Sequence, residues 1–398
     1  MQQKVQMTCA TREVCLNSRF YIAAHEISSA FFLLYVFDGS GDLDVERWEK
    51  AVAIASASDP STRMVLRKYL NFSCFVDSGI TPHVHVIDSK QWDAYGAEYS
   101  DTLNSFSPRT APMTEVYLIK GEQPRVAIRA HHTVMDGRGI MTFAEDIFRA
   151  LRGEEVRKSD DTVISPDLLN PSYKPAQRVT GRFLAPTGKP QGCERGITFL
   201  RKRISGSFRK IPAKVALASA REAWRYGKGN VRFGIPLDLR SRRPGLKSTG
   251  NLTSAIFIPI TPDMNLDDIT GEINRKLSAQ EDGYANFEDK LMKYLPLKVM
   301  GGLLRMDGDH SHKLGLYRYS GFISNVGLYK PELFQGGGFT THAISARPAC
   351  LDGFPFSIAL IGVDGVEKQL DLFAAAPRVL ANNGRLEALL DRIIDGLA

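Results

Sequence analysis

The stretch Ala130-His131-His132-Thr133-Val134-Met135-Asp136-Gly137 concentrates the residue types that do chemistry. Two histidines close an apolar run, Val126–Ala130, that reads as a strand. An aspartate stands four places after the second histidine, and a glycine follows it. A histidine at a strand end can project into a cleft as a general base, because imidazole titrates near neutral pH. Asp136 can orient the ring, or hold the loop by pairing with a cation distant in sequence. Gly137 permits a tight turn and the close approach of a substrate. Its N–H, near a helix start, can face a developing negative charge. The competing uses are a strand end with satisfied polar groups, or a metal site. Adjacent strand residues point to opposite faces, so a His-His pair rarely shares one ion, and no metal is expected. Cys9, Cys15, Cys74, Cys193 and Cys350 are odd in number and scattered, without a CxxC or a Cys/His cluster. That argues against zinc and against a disulfide framework, and each reads as a buried or neutral thiol.

The elements that must position this stretch alternate along the chain. Ala30–Phe37 reads as a buried strand ending in the turn Asp38-Gly39-Ser40-Gly41. Asp44 can cap a helix bearing Val45, Trp48 and Val52. Val84–Ile87 and Val116–Ile119 read as strands. From Gly139 to Leu151 a helix is expected, with Ile140, Phe143, Ile147 and Leu151 on one face and Gly153 as its stop. The segment Ser159–Gly192 holds Pro166, Pro171, Pro175, Pro186 and Pro190, and reads as a crossover. Beyond it, Phe199–Ser205, Val231–Leu237 and Ala255–Ile260 read as strands, with the loop Asp238–Thr253 between the last two. Pro212 begins a helix through Trp224 that Gly227 closes. Leu266, Ile269, Ile273 and Leu277 mark another helix. Leu291, Leu295, Val299 and Leu303 share one face of a core helix within Leu291–Met306, with an acyl-pocket wall as the other reading; Pro296 and Gly301-Gly302 are expected to kink or shorten it. Phe322–Ser324 and a hairpin, Phe356–Val363 with Lys368–Phe373 turned at Asp364-Gly365, are late strands. Leu386–Leu397 is a final amphipathic helix. No internal repeat is evident.

The chain has 398 residues, 43% of them apolar, which is too much for one ordinary core and excludes wholesale disorder. The expected division is residues 1–160, a crossover 161–195, and residues 196–398. No run is long enough for a transmembrane helix, and Met1–Cys15 has no apolar signal core, so a soluble, cytoplasmic protein is expected. Lys and Arg number 51 against 44 Asp and Glu, a net charge of +7. No nucleic-acid-binding pattern accompanies the basic runs. The balance suits solvated surface, a phosphate-bearing substrate or an acidic protein partner.

The stretch His131-His132-x-x-x-Asp136-Gly137 resembles the HHxxxDG motif of nonribosomal peptide synthetase condensation domains. It also holds the HxxxD core of the wider superfamily of chloramphenicol acetyltransferases, plant BAHD acyltransferases and polyketide-associated acyltransferases. Other stretches match in order. Leu43-Asp44-Val45 through Pro60-Ser61-Thr62-Arg63 resembles the family's first helix and turn. Ala111-Pro112-Met113 through Ile119 resembles the strand before the motif strand. Asp238-Leu239-Arg240-Ser241-Arg242-Arg243-Pro244 with Gly250-Asn251 resembles D-x-R-x-R-x-x-P…G-N, its proline one place early. Ser324-Asn325-Val326-Gly327 resembles a late SNxG strand. The DFGWG motif of plant BAHD enzymes is absent, and so is any adenylation signature or carrier-protein serine, so a stand-alone enzyme is expected.

The resemblance implies an α+β fold of two chloramphenicol-acetyltransferase-like halves, set as a V with a tunnel between them. It implies an acyltransferase that moves an acyl group from a thioester to an amine or hydroxyl. The donor is acyl-CoA or a phosphopantetheinyl carrier-protein thioester, the setting is specialised metabolism, and no cofactor is resident. His132 is implied as the catalytic base, with no Ser or Cys nucleophile required. This accords with the absence of a G-x-S-x-G elbow. Asp136 is implied to pair with Arg240, or with Arg242, and His131 to pack behind the loop. The plain alternative for Arg240 is an exposed loop charge. Asn251 and Thr253 hold the Arg240 loop, or serve as ordinary turn residues. Ser324 and Asn325 donate to an oxyanion or line the tunnel, or form a buried strand end. Other reactions remain open on the same motif: a non-catalytic docking module, or epimerisation, dehydration or cyclisation of a tethered intermediate.

Overall fold

The computed structural model describes residues 11–28, 31–92, 107–110, 112–160, 162–174, 181–283, 291–364 and 368–397. Cys9, Ala30, Ala111, Pro175 and the turn residue Gly365 lie outside them.

The chain begins with β1 (Thr11–Glu13), α1 (Leu16–Ile27), β2 (Leu33–Gly41) and α2 (Val45–Ala57). Asp44 caps α2 by accepting from the Arg47 N–H, and Trp48 and Val52 are buried one turn apart. Next come β3 (Met64–Arg67), β4 (Cys74–Asp77), β5 (His83–Asp88), β6 (Thr114–Lys120) and β7 (Arg125–Ala130). The chain then enters α3 (Gly137–Leu151), whose apolar face of Ile140, Phe143 and Ile147 is fully buried. After the crossover stand β8 (Ile197–Ser205), α4 (Ile211–Tyr226), β9 (Val231–Asp238), β10 (Thr253–Ile260) and α5 (Leu266–Ser278). The remainder is α6 (Leu297–Leu314), β11 (Gly321–Tyr329), β12 (Gln335–Gly336), β13 (Phe339–Arg347), β14 (Ser357–Asp364), β15 (Lys368–Pro377) and α7 (Arg385–Leu397).

Two six-stranded sheets and a small one organise these elements. The first runs β12-β13-β2-β7-β6-β5, the second β10-β9-β11-β14-β15-β8, and the small one β1-β4-β3. Most neighbours are antiparallel, while β5–β6, β9–β11 and β11–β14 are parallel. The late strand β13 crosses over to pair with β2 in the first sheet. β14 is buried on both faces. Ala359, Ile361 and Val363 join the core of the first sheet, and Ile358 and Leu360 that of the second. A strand buried on both faces needs an unbroken apolar run, which Ile358–Val363 supplies.

Charged side chains also tie the sheets. Arg201 on β8 reaches Asp38 on β2 at 3.0 Å and Asp371 on β15 at 2.8 Å, and Arg203 bridges the same two carboxylates. Arg347, fully buried on β13, lies with its guanidinium 4.6 Å from the Phe32 ring and 4.0 Å from the Phe199 ring.

Three expectations are corrected. Asp38-Gly39-Ser40-Gly41 is not a turn: β2 continues through it, paired with β13. The glycines serve the close approach of the two strands, since a Cβ on Gly39 would stand 2.3 Å from the Thr340 carbonyl oxygen. The helix from Leu291 is interrupted at Pro296, as the proline implies, and α6 starts at the next residue, but it is not a core helix. Its expected buried face is exposed at Leu291, Val299 and Leu303, and α6 packs instead through Met300, Gly301, Gly308 and Ser311. Finally, Ser324-Asn325 does not end a strand. Gly327 adopts φ +113°, and the register slips between Asn325 and Gly327, so β11 runs on to Tyr329.

Candidate active site

The motif loop leaves β7 and returns as α3, and its backbone is locally pinned. The His131 N–H donates to the Met113 carbonyl at 2.9 Å, and the Val134 N–H donates to the His131 carbonyl at 3.0 Å. The two histidines part company at once. His131 is fully buried, its Nδ1 accepts from the Thr133 N–H at 3.2 Å, and its ring meets His25 edge to face at 4.9 Å. Burial, and then the neighbouring imidazoles of His25 and His132, push its pKa well below the usual value. It is a neutral ring inside the loop. His132 keeps part of its surface accessible.

Two neighbours hold His132. Its ring stacks on Tyr21 of α1, with centroids 4.3 Å apart and planes 5° from parallel. The Asn251 amide donates to the His132 carbonyl and lies 3.4 Å from Nδ1. Asn251 is itself oriented, because its Oδ1 accepts from the Thr253 N–H at 3.3 Å. The Tyr21 side chain also hydrogen-bonds Asn251. Burial lowers the His132 pKa, while its own carbonyl, the Asp136 charge and the Met135 carbonyl partly offset that. The net direction is down, so the imidazole is neutral at pH 7 and able to accept a proton.

Asp136 is committed elsewhere. Its two carboxylate oxygens meet Arg240 Nη1 and Nη2, each at 3.0 Å. It also accepts from the Gly139 N–H, which makes it the N-cap of α3, from the Leu252 N–H and from the Thr253 hydroxyl. Burial opposes its ionisation, but Arg240 and these donors prevail and hold the pKa below the usual value. With five donors on two oxygens it is a fastening, and the His132 ring is oriented by Tyr21 and Asn251 instead. Arg240 spends its other protons on the Asp238 carboxylate and the Ser248 and Gly250 carbonyls. The Asp238–Thr253 loop is thereby folded around one guanidinium. Met135 and Gly250 form a β-bridge across the same junction. Arg242 pairs with Asp282 instead.

The glycines of the motif are required by packing. Gly137 does not have a positive φ, so no tight turn demands it. A Cβ there would stand 2.1 Å from the Tyr35 hydroxyl, and one on Gly139 would stand 2.0 Å from the Thr249 carbonyl oxygen. Close approach of the protein's own side chain, rather than of a substrate, is what Gly137 serves.

The structure therefore brings His132, Asp136, Arg240, Asn251 and Thr253 together across the junction of the two sheets. Ser324 and Asn325 stand on β11, Asn325 exposed, and neither joins the hydrogen bonds around His132. Sequence reasoning passed over α1, and with it Tyr21 and His25. The signal was present: Leu16, Phe20, Ala24 and Ile27 recur at helical spacing. Of the cysteines, Cys350 is buried with its thiol pushed up to about 12 by burial, while Cys193 is exposed. Among the described residues no group of three or more His, Cys, Asp or Glu side chains is placed to hold a metal, and no helix is long and apolar enough to cross a membrane.

No family model and no curated protein matches this sequence. Solved structures do. A starter condensation domain of rhizomide synthetase, as a mutant in complex with C8-CoA and Leu-SNAC, is 14% identical with a TM-score of 0.62, over 99% of this chain and 95% of that one. The condensation domain of the monacolin K polyketide synthase is 11% identical with a TM-score of 0.62, over 98% and 96%. The epimerization domain from the third module of tyrocidine synthetase B is 13% identical with a TM-score of 0.59, over 98% and 97%. Identities this low speak for the fold and leave the reaction open. Together with the two mixed sheets and the strand exchanged between them, they give the chain the condensation-domain fold, two α+β halves of the chloramphenicol-acetyltransferase kind.

Proposed function

We propose that this chain is an acyltransferase that moves an acyl group from a thioester to an amine or hydroxyl, with His132 as general base. One observation carries the reading. Of two adjacent histidines, only His132 is both partly accessible and held in a fixed, neutral orientation by groups from elsewhere in the fold. In this reading the imidazole takes the proton of the acceptor as its nitrogen or oxygen attacks the thioester carbonyl. The carbon–sulfur bond breaks, the amide or ester bond forms, and the departing thiolate regains a proton from the imidazolium. No acyl-enzyme forms. Asp136 and Arg240 keep the loop in register, with His131 packed behind it and Gly137 leaving room for the Tyr35 hydroxyl. Ser324 and Asn325 line the tunnel, since neither is among the hydrogen bonds around His132.

The donor is coenzyme A or a carrier-protein phosphopantetheine, and the setting is specialised metabolism of the nonribosomal peptide or polyketide type. A starter condensation domain on this fold binding C8-CoA and Leu-SNAC supports that choice of donor. The halves are residues 1–160 and 196–398, joined by the crossover 161–195, with the tunnel running between them to His132.

The test is thiol release from a panel of acyl-CoAs and carrier-loaded acyl thioesters mixed with amines and alcohols, with wild type beside His132→Ala. Acceptor-dependent release that falls by about 10²–10⁴-fold in the variant is expected. Release unchanged in His132→Ala overturns the assignment of the base. Solvent-proton exchange at the α-carbon of a tethered aminoacyl group without thiol release would make the chain an epimerase, the activity named for one of the similar structures. Thioester binding with neither reaction would make it a docking module.

A further inference from the structure

Most large apolar side chains of the described residues are inside, and those outside are not scattered evenly. Eight of the fifteen exposed ones fall within residues 69–72 and 291–306. The two stretches adjoin. Arg19 of α1 donates to the Leu70 carbonyl at 2.7 Å with one nitrogen and to the Leu295 carbonyl with another. The short helix Leu70–Phe72 packs against Met292–Tyr294, which leads directly into α6. On α6, Val299, Leu303 and Met306 follow at i, i+4 and i+7, on the face opposite the buried Met300 and Gly308 and the half-buried Leu304. An isolated exposed leucine needs no account, but a gathered patch does.

The shape and charge of this patch indicate what it meets. Tyr69 is 72% exposed, Phe72 71% and Met306 68%, so these side chains protrude instead of lining a groove. Arg67, Lys68, Lys293, Lys298 and Arg305, all exposed, interleave with them, and residues 67–73 and 291–306 contain no Asp or Glu. Arg109 lies 4.5 Å over the Tyr69 ring, adding a sixth cation. Protruding aromatic and aliphatic tips among cations suit an interface that is apolar beneath and negative on top. We propose that this face, formed by Tyr69–Phe72, Tyr294 and the outer stripe of α6, is a peripheral docking surface for an anionic lipid membrane. It does not depend on the reaction proposed above. Its position on α6, which packs on the Tyr21-bearing α1, would hold the site's supporting helix at the lipid surface.

The test is flotation of the full chain with vesicles of phosphatidylcholine alone and of phosphatidylcholine and phosphatidylglycerol in equal parts. Wild type is expected to float with the anionic vesicles, to stay behind with the neutral ones, and to be released by high salt. Phe72→Glu with Met306→Glu is expected to reduce flotation to the neutral-vesicle background. Lys68→Ser, Lys293→Ser and Lys298→Ser are each expected to weaken partitioning about five-fold. All these positions are exposed, and circular dichroism with a thermal melt checks that each variant is folded. Wild type that ignores anionic vesicles overturns the proposal, as do folded variants that float like wild type. A dimer in light scattering that Phe72→Glu splits, without vesicle binding, would instead assign the face to a second copy of the chain. An acidic carrier protein bound through these side chains, without vesicle binding, would assign it to a protein partner.

Discussion

The Tyr21 ring covers one face of the His132 imidazole, 4.3 Å away and 5° from parallel, while its hydroxyl bonds the Asn251 that grips the His132 backbone. Tyr21 never needs to touch substrate to matter, because it fixes the plane in which His132 can receive a proton. Tyr21→Phe keeps the ring and loses one hydrogen bond, so its kcat is expected to fall by less than about ten-fold. Tyr21→Ala frees the imidazole to turn, and kcat is expected to fall roughly a hundred-fold with KM little changed. Steady-state kinetics on the two variants decides it. A kcat for Tyr21→Ala equal to wild type would deny the stack any positioning role.

Burial lowers the His132 pKa from 6.5, and the nearby carbonyls and the Asp136 charge only partly restore it. The base form is therefore the neutral one throughout neutral pH, and it is lost as pH falls through the lowered value. The expected profile of kcat/KM is flat from pH 7 upward, with an acid limb whose apparent pKa lies below 6.5. A pH-rate profile of the thiol-release assay tests this. An acid limb above pH 7 would mean that another group governs the rate.

Much of this site was legible in the sequence because its parts are local or carry strong types. The strand, loop and helix around His131-His132 were readable from an apolar run meeting a helical stripe, and Asp136 and Arg240 do meet. What escaped notice was non-local. Strand β13, Phe339–Arg347, mixes Thr, His and Ser with apolar residues without a regular alternation and ends in a buried arginine, so its place in the first sheet depends on β2, about three hundred residues earlier in the chain. The glycines of Asp38–Gly41 looked like a turn because close strand approach and chain reversal use the same residue. Val299 and Leu303 read as core because helical periodicity reports a shared face and not what covers it.

Asp371 gives a second titration, of opposite sign to that of the histidines. One oxygen faces Arg201 and Arg203, the other finds no hydrogen-bond partner, and burial raises its pKa from 3.8 to about 6 despite the two guanidiniums. A carboxyl whose folded pKa is raised adds stability below its unfolded value, near pH 3.8, and loses that contribution as pH rises through about 6. Asp371→Asn removes the titration. Its stability relative to wild type is expected to improve by about 2 kcal/mol between pH 4 and pH 7. Urea unfolding of both proteins across that range measures the difference. A constant difference would place the Asp371 pKa near its ordinary value in the folded protein.

The Asp136–Arg240 pair is bidentate and buried, with side chains 4% and 11% exposed; the other partners of Asp136 are neutral donors, whereas Arg240 also pairs with the more exposed Asp238. Removing one partner leaves a desolvated charge. Arg240→Ala is therefore expected to destabilise the fold by about 3–5 kcal/mol, and Asp136→Ala by less, because Arg240 keeps Asp238 as a counter-charge. The double variant strands neither charge, so its loss should be well below the sum of the single losses. The Arg240 guanidinium also holds the Ser248 and Gly250 carbonyls and Asp238, so the double variant should stay folded yet lose thiol release, since Asn251 is no longer held against His132. Denaturant melts of the four proteins give the coupling energy, and thiol release gives the functional cost. Additive losses of stability, or full activity in a folded double variant, would remove the pair from the positioning of the site.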